Sequence, residues 1–239
     1  VAEYCSETCA GKLFLSELSA LKKIILEPNP PMLAIVGGSK VSTKLNILDK
    51  LSEQVDQLVL GGGIANTFLK AQGFNIGNSL HDEEFILSAK KILKKLESRN
   101  ASLPDIIDVV CGKKLNEYED AVIKNINDLE DDDMIFDLGP KSMREISLKI
   151  NKAKTILWNG PIGVFEYKQF SKGTEILANA IANSSAFSLA GGGDTIAAIE
   201  VFGIEKDISY ISTAGGAFLE YIEGKKLPAI EILEKRAKN

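Results

Sequence analysis

Residues 32–40 read MLAIVGGSK: five apolar side chains in succession, closed by a glycine pair, a serine and a lysine. An unbroken apolar run of this kind suits a strand covered on both faces, as in a parallel sheet whose crossovers lay helices above and below it. The pattern recurs. Strands are expected at Met32 to Val36, Gln57 to Leu60, Ile106 to Cys111, Met134 to Asp137, Thr155 to Trp158, Phe187 to Ala190 and Ile208 to Ile211. Amphipathic stretches of helical length follow most of them: Ser42 to Gln54, Ile64 to Gln72, Asp82 to Ser98, Ser142 to Asn151, Gly173 to Ala182, Thr195 to Val201 and Gly216 to Ile222. A further helical run, KLFLSELSALKKIIL, precedes the first strand. Gly73 and Gly203 sit where helices should stop. Seven strands alternating with helices predict an α/β fold: a doubly wound, mostly parallel sheet with helices on both faces, a Rossmann-like three-layer sandwich. A length of 239 residues suits a single domain over 1–239.

Composition narrows the function. Apolar residues make up 45 % and charged residues 26 %, an ordinary globular balance. Lys plus Arg (28) against Asp plus Glu (33) leaves a net charge of −5, so no basic field draws the chain to nucleic acid or an anionic membrane. The longest apolar runs fall far short of the roughly 20 residues of a membrane helix, and no signal-peptide pattern opens the sequence, so a cytoplasmic location is expected. Cys5, Cys9 and Cys111 lack zinc-ligand spacing and fit reduced thiols. The single histidine, His81, lies in the polar stretch NSLHDEE and reads as a surface residue. Trp158, at a strand end, reads as core, and the run Asp131 to Asp133 as a solvated turn rather than a metal site.

Ten of the 20 glycines fall in four clusters, Gly37-Gly38, Gly61-Gly62-Gly63, Gly191-Gly192-Gly193 and Gly215-Gly216, each just after an expected strand. In a parallel sheet those loops share the carboxyl edge, where ligands of open α/β folds bind and bare backbone amides can approach an anion. A phosphate-bearing ligand is the inference; tight turns alone are the alternative. No G-x-x-x-x-G-K-[ST] and no G-x-G-x-x-G at a first βα unit occurs, which disfavours a P-loop nucleotidase and a dinucleotide-binding domain. Instead Lys40 follows the first glycine pair and Lys44 lies four residues on, spacing that places two ammonium groups along one helix face. Asp194, in GGGDT, suits either an N-cap or a carboxylate for nucleotide-borne Mg²⁺. Glu166, after WNGPIGVF, suits either a ribose contact or a plain surface position.

Taken together, AIVGGSKVSTK, LVLGGGIANTFL, TILWNGPIGVFE, FSLAGGGDT and ISYISTAGGAFLEYIEGKKLP resemble, in order and over essentially the whole chain, the C-terminal, nucleotide-binding half of the phosphoglycerate kinase family. The resemblance implies reversible phosphoryl transfer between 1,3-bisphosphoglycerate and Mg·ADP, giving 3-phosphoglycerate and Mg·ATP in glycolysis. Such transfer needs positioning and charge neutralisation rather than a general base, which suits a chain with one histidine. By the same resemblance Lys40 would stabilise the phosphoryl group in flight, with Gly192 and Gly215 beside it, and Lys44 would hold nucleotide phosphates. Asp194 would take the Mg²⁺. Gly191, Gly192, Gly193 and Thr195 would meet the phosphates, Asn159 would lie near them, and Glu166 would hold ribose. Gly61, Gly62, Gly63 and Pro161 would wall an adenine slot. Ala214 stands where the family pattern has glycine, and a positive φ there would strain it.

An acidic, doubly phosphorylated acceptor calls for guanidinium forks, yet Arg99, Arg144 and Arg236 are the only arginines and none adjoins a glycine motif. The resemblance places the acceptor site on a separate N-terminal domain that closes by a hinge. Segment 1–11 then reads as the end of that preceding domain or hinge, and 224–239 as a tail that would pack upon it. The chain alone is expected to be a monomer that binds ADP or ATP with Mg²⁺ without turnover. A dehydrogenase-type domain and a non-enzymatic nucleotide-binding module are the rival readings.

Overall fold

The computed structural model describes residues 3–5 and 7–237; Val1, Ala2, Ser6, Lys238 and Asn239, parts of the expected end segments, lie outside the described residues. Eight strands form among these: β1 (Met32–Gly37), β2 (Gln57–Gly61), β3 (Asp108–Gly112), β4 (Val122–Asn125), β5 (Met134–Leu138), β6 (Thr155–Asn159), β7 (Phe187–Ala190) and β8 (Tyr210–Ile211). The helices are α1 (Lys12–Ile25), α2 (Leu45–Leu51), α3 (Gly62–Gln72), α4 (Ile86–Ser98), α5 (Pro140–Lys152), α6 (Lys172–Ala182), α7 (Gly193–Phe202), α8 (Gly216–Ile222) and α9 (Pro228–Ala237).

Alternating side chains of the central strands feed two cores. Leu33 and Ile35 of β1, with Ile156 and Trp158 of β6, face Met143, Ile146 and Ile150 of α5, Leu177 and Ile181 of α6, and Ala198 and Ile199 of α7. Ala34 and Val36, with Leu157 and Leu189, face Ala20, Leu21 and Ile24 of α1, Ile47, Leu48 and Leu51 of α2, and Phe218 and Ile222 of α8. These positions recur every two residues along strands and every three or four along helices, as one buried face requires. Each fully buried Leu or Ile contributes roughly 1.5–3 kcal/mol. Helix ends follow local chemistry: Pro140 opens α5 without wasting an amide, while Gly73 (φ 97°) and Gly203 (φ 66°) close α3 and α7 in the left-handed region. Trp158 is fully buried, as expected, and donates Nε1–H to Gly160 O at 2.9 Å.

Five strands form a parallel sheet in the order β2-β1-β6-β7-β8. The expectation that all seven predicted runs share that sheet is corrected: β3 and β5 pair antiparallel in a second, three-stranded sheet, β4-β3-β5. Its edge strand β4 was not expected, because Val122 and Ile123 are exposed and carry no core pattern. The predicted helix from Ser42 also divides. A single 3₁₀ turn, Val41–Thr43, precedes α2, and Lys44 between them is non-helical (φ −127°, ψ 8°), so Lys40 and Lys44 do not share a helix face. Nor is Asp133 part of a solvated turn: it is 1 % exposed and accepts from Lys113 Nζ at 2.9 Å and Lys124 Nζ at 2.7 Å, in an ion-pair network with Glu130 and Asp132. His81 is partly covered rather than free, bonded to Lys70, Glu83 and Ser79 O.

Candidate functional site

Strand order fixes where a site can form. The chain leaves β1 for β2 on one side and returns to β6 on the other, so the carboxyl ends of β1 and β6 diverge at a topological switch point. Lys44 sits over that gap. Its ammonium group donates to Gly37 O at 2.6 Å, after β1, and to Asn159 O at 3.3 Å, at the end of β6. Burial pushes its pKa down to about 8, partly opposed by the negative charge of Asp194. The unfolded lysine keeps the ordinary value of 10.5, so between about 8 and 10.5 the unfolded chain binds the extra proton and stability rises with pH through that window.

The glycines around Lys44 do two different jobs. A β-carbon on Gly37 would stand 1.8 Å from Pro161 O, one on Gly61 2.5 Å from the same atom, and one on Gly63 2.1 Å from Ser39 O. These absences let the loops after β1, β2 and β6 lie backbone against backbone. Gly62 N–H is spent on Ile162 O at 2.9 Å, and Ile64 N–H on Gly38 O at 3.2 Å. Gly191 packs under the Phe218 ring. Gly193, Gly215 and Gly216, by contrast, have nothing within 4 Å of a would-be β-carbon and face open space.

Beyond β7, Gly192 (φ 99°) turns the chain into α7. The first-turn amides of Gly193, Asp194 and Thr195 have no acceptor among the described residues, a ready anion cradle at the positive end of the helix. The buried Thr195 hydroxyl donates to Gly191 O at 2.8 Å and accepts from Gly160 N at 2.7 Å, so only its backbone N–H remains for a ligand. Asn159, 2 % exposed, donates through Nδ2 to Gly191 O at 2.6 Å, and its Oδ1 has no partner among the described residues. The exposed Asp194 carboxylate and this orphaned amide oxygen are hard oxygen donors of the kind that suit Mg²⁺ carried on a polyphosphate.

The last rim loop, 212–216, is fastened to α1. Buried Glu17 accepts from Tyr210 OH at 3.0 Å, from Thr213 N at 3.4 Å and from Ser212 Oγ. The positive φ falls on Gly215 (55°) and not on Ala214, so the condition under which that alanine would be strained is not met.

A family model described as phosphoglycerate kinase matches residues 1–225. The chain belongs to the phosphoglycerate kinase family. It is 57 % identical over 237 residues to a phosphoglycerate kinase of Francisella philomiragia, covering 99 % of this chain and 60 % of that protein. It is 56 % identical over 239 residues to one from Haemophilus influenzae, covering all of this chain and 61 % of that relative. Among solved structures, phosphoglycerate kinase from Coxiella burnetii superposes with a TM-score of 0.96 at 50 % identity, over 99 % of this chain and 61 % of that one. The Pyrococcus horikoshii phosphoglycerate kinase does so at 0.79 and 30 % identity, over 94 % and 56 %. The chain thus spans about 60 % of the length of the curated relatives it matches.

On this phosphoglycerate kinase fold, Lys44, Asn159, Gly192, Gly193, Asp194 and Thr195 gather at the carboxyl ends of β1, β6 and β7, with Lys40 exposed on the adjoining loop and its side chain free of hydrogen-bond partners among the described residues. Glu166 is exposed in the turn closed by Tyr167 N and Val164 O, beyond Pro161. One neighbour escaped the sequence reading: Leu80, 54 % exposed, whose Cγ lies 3.4 Å from a would-be β-carbon of Gly63. An exposed leucine inside a polar stretch was its only signal. Among the described residues no helix is long and apolar enough to cross a membrane.

Proposed function

We propose that this chain is the nucleotide-binding half of a phosphoglycerate kinase, serving reversible phosphoryl transfer between 1,3-bisphosphoglycerate and Mg·ADP. The carrying observation is the partly buried Lys44 ammonium group at the switch point, close enough to Asp194 to feel its charge. In this reading the α7 amides and Lys44 hold the polyphosphate, Asp194 holds its Mg²⁺, and Lys40 reaches the phosphoryl group as it moves. Gly61 to Gly63, Pro161 and Leu80 receive adenine, and Glu166 the ribose. Mg²⁺ offsets phosphate charge as part of the substrate; the residues position and neutralise.

The acceptor would be held by residues outside this chain. Arg99 donates to Ser52 O at 2.9 Å and Val55 O at 3.2 Å at the end of α2, Arg236 donates to Cys5 O, and Arg144 is exposed on α5. None stands at the rim. Calorimetry with Mg·ADP on the 239-residue chain is therefore expected to show binding, while 3-phosphoglycerate-dependent ATP consumption stays at background. Appreciable turnover would place acceptor recognition within the chain; no nucleotide binding would remove the reading.

Proton linkage gives a further expectation. A polyphosphate beside Lys44 favours its charged form, so Mg·ADP binding at pH 8.5 should take up to about 0.8 of a proton, and affinity should fall as pH rises above 8. Titration in two buffers of different ionisation enthalpy reads the uptake directly. Zero uptake or proton release would contradict a phosphate role for Lys44.

A further inference from the structure

Asp137, on β5, is 2 % exposed and has no cationic partner among the described residues. Its Oδ2 accepts from Gly173 N at 2.5 Å and its Oδ1 from Leu138 N at 2.9 Å. Glycines flank it on both sides: a β-carbon on Gly163 would stand 2.3 Å, and one on Gly173 2.2 Å, from Oδ1. Burial raises its pKa to about 7, against the lowering effect of the two amides, and the nearest charges on α6, Lys172 and Glu175, pair with each other at 2.9 Å. A carboxylate without a cation in such a place is costly, and for packing alone an apolar side chain would serve better.

Helix capping alone does not account for it. Ser171, a residue type well suited to cap α6, stands at the N-cap position but makes no capping bond. The acceptor comes instead from a different element, tying the start of α6 to β5. The next residue, Thr174, is fully buried, and its hydroxyl oxygen accepts from both Ile162 N and Gly163 N at 3.2 Å. Val164 N then donates to Phe136 O at 2.9 Å. Three consecutive amides are thus pinned directly beneath the turn that presents Glu166.

We propose that Asp137 and Thr174 are positioning residues, a buried anchor under residues 162–164 that holds Glu166 at the nucleotide rim. The inference rests on the nucleotide reading above and adds to it the groups that set its ribose contact. Asp137 fixes Gly173 and so the height of α6; Thr174 passes that position to the loop. Neither touches the ligand, so both should act only while Glu166 is present to be positioned.

Mg·ADP affinity measured on the 239-residue chain tests this, with Thr174→Val, Thr174→Ser and Asp137→Asn each made alone and together with Glu166→Ala. Thr174→Val and Asp137→Asn are expected to weaken binding about tenfold, and Thr174→Ser, which keeps the acceptor, to stay within about twofold of wild type. On the Glu166→Ala background the effect of Thr174→Val should shrink below about twofold, because interacting residues are non-additive. Equal losses with and without Glu166, or no loss in Thr174→Val, would overturn the proposal. Should Asp137→Asn fail to fold, the Thr174 pair carries the test. Wild-type chain that binds no Mg·ADP would remove the nucleotide reading and this inference together; wild-type binding with an additive cycle removes the inference alone.

Discussion

Gly37→Ala is expected to lower the melting temperature by about 6–12 °C and to abolish most Mg·ADP binding, although it adds a single methyl group. That methyl would stand 1.8 Å from Pro161 O and 2.8 Å from Gly160 C, both backbone atoms that cannot rotate aside. Gly37 cannot withdraw either, because β1 is paired on both sides, with Gly37 in register with Gly61 and Val36 with Asn159. Relief requires the 160–162 loop to move, breaking Gly160 N to Thr195 Oγ1 and Gly62 N to Ile162 O. Overpacking of this severity costs about 3 kcal/mol, and in a chain of this size each kcal/mol is worth about 2–4 °C. Binding suffers separately, since Lys44 takes its position from Gly37 O. Gly11→Ala, with nothing within 4 Å of the new methyl, is the control. Differential scanning calorimetry and a nucleotide titration check both halves; an unchanged melting temperature would mean the loops do not interlock.

The same glycines show how far sequence alone reaches. Their clustering after strands is plain in the order of residues, but whether a missing side chain faces a ligand or a neighbouring backbone depends on which loops adjoin. Gly37, Gly61 and Gly63 meet backbone; Gly193, Gly215 and Gly216 meet open space. Strands covered on both faces announce themselves by continuous apolar runs, and β1, β2, β6 and β7 were readable for that reason. The run around β3 looks no different, yet its partners are antiparallel, because apolar content reports burial and not strand direction. Exposed β4 left no trace at all. Lys44 was legible as a residue near glycines; its burial and its bond to Asn159 O join positions 115 residues apart and belong to tertiary structure. Asp137 read as the polar end of a strand, and only the packed fold reveals a carboxylate between two glycines.

Lys40→Ala, placed in a complete-length protein carrying this chain, is expected to lower kcat by about 10²- to 10³-fold while changing Mg·ADP affinity by less than about threefold. The two lysines differ in a way that makes the contrast sharp. Lys44 is partly buried, bonded to two backbone carbonyls and part of the rim before any ligand arrives. Lys40 is exposed, its side chain has no partner among the described residues, and only its backbone carbonyl is engaged, by the Thr43 hydroxyl at 2.9 Å. Truncating Lys40 therefore leaves the rim intact. On the proposed function, what it removes is a charge that would meet the phosphoryl oxygens as they pass between donor and acceptor, an interaction that would be stronger in the transition state than in the nucleotide complex. Loss of one such preorganised group is worth about 3–4 kcal/mol of barrier. Lys44→Met should show the opposite pattern, a loss of nucleotide affinity at least as large as its loss of turnover. Steady-state kinetics beside calorimetric binding separates the two, and equal losses in Lys40→Ala would show that this lysine only binds.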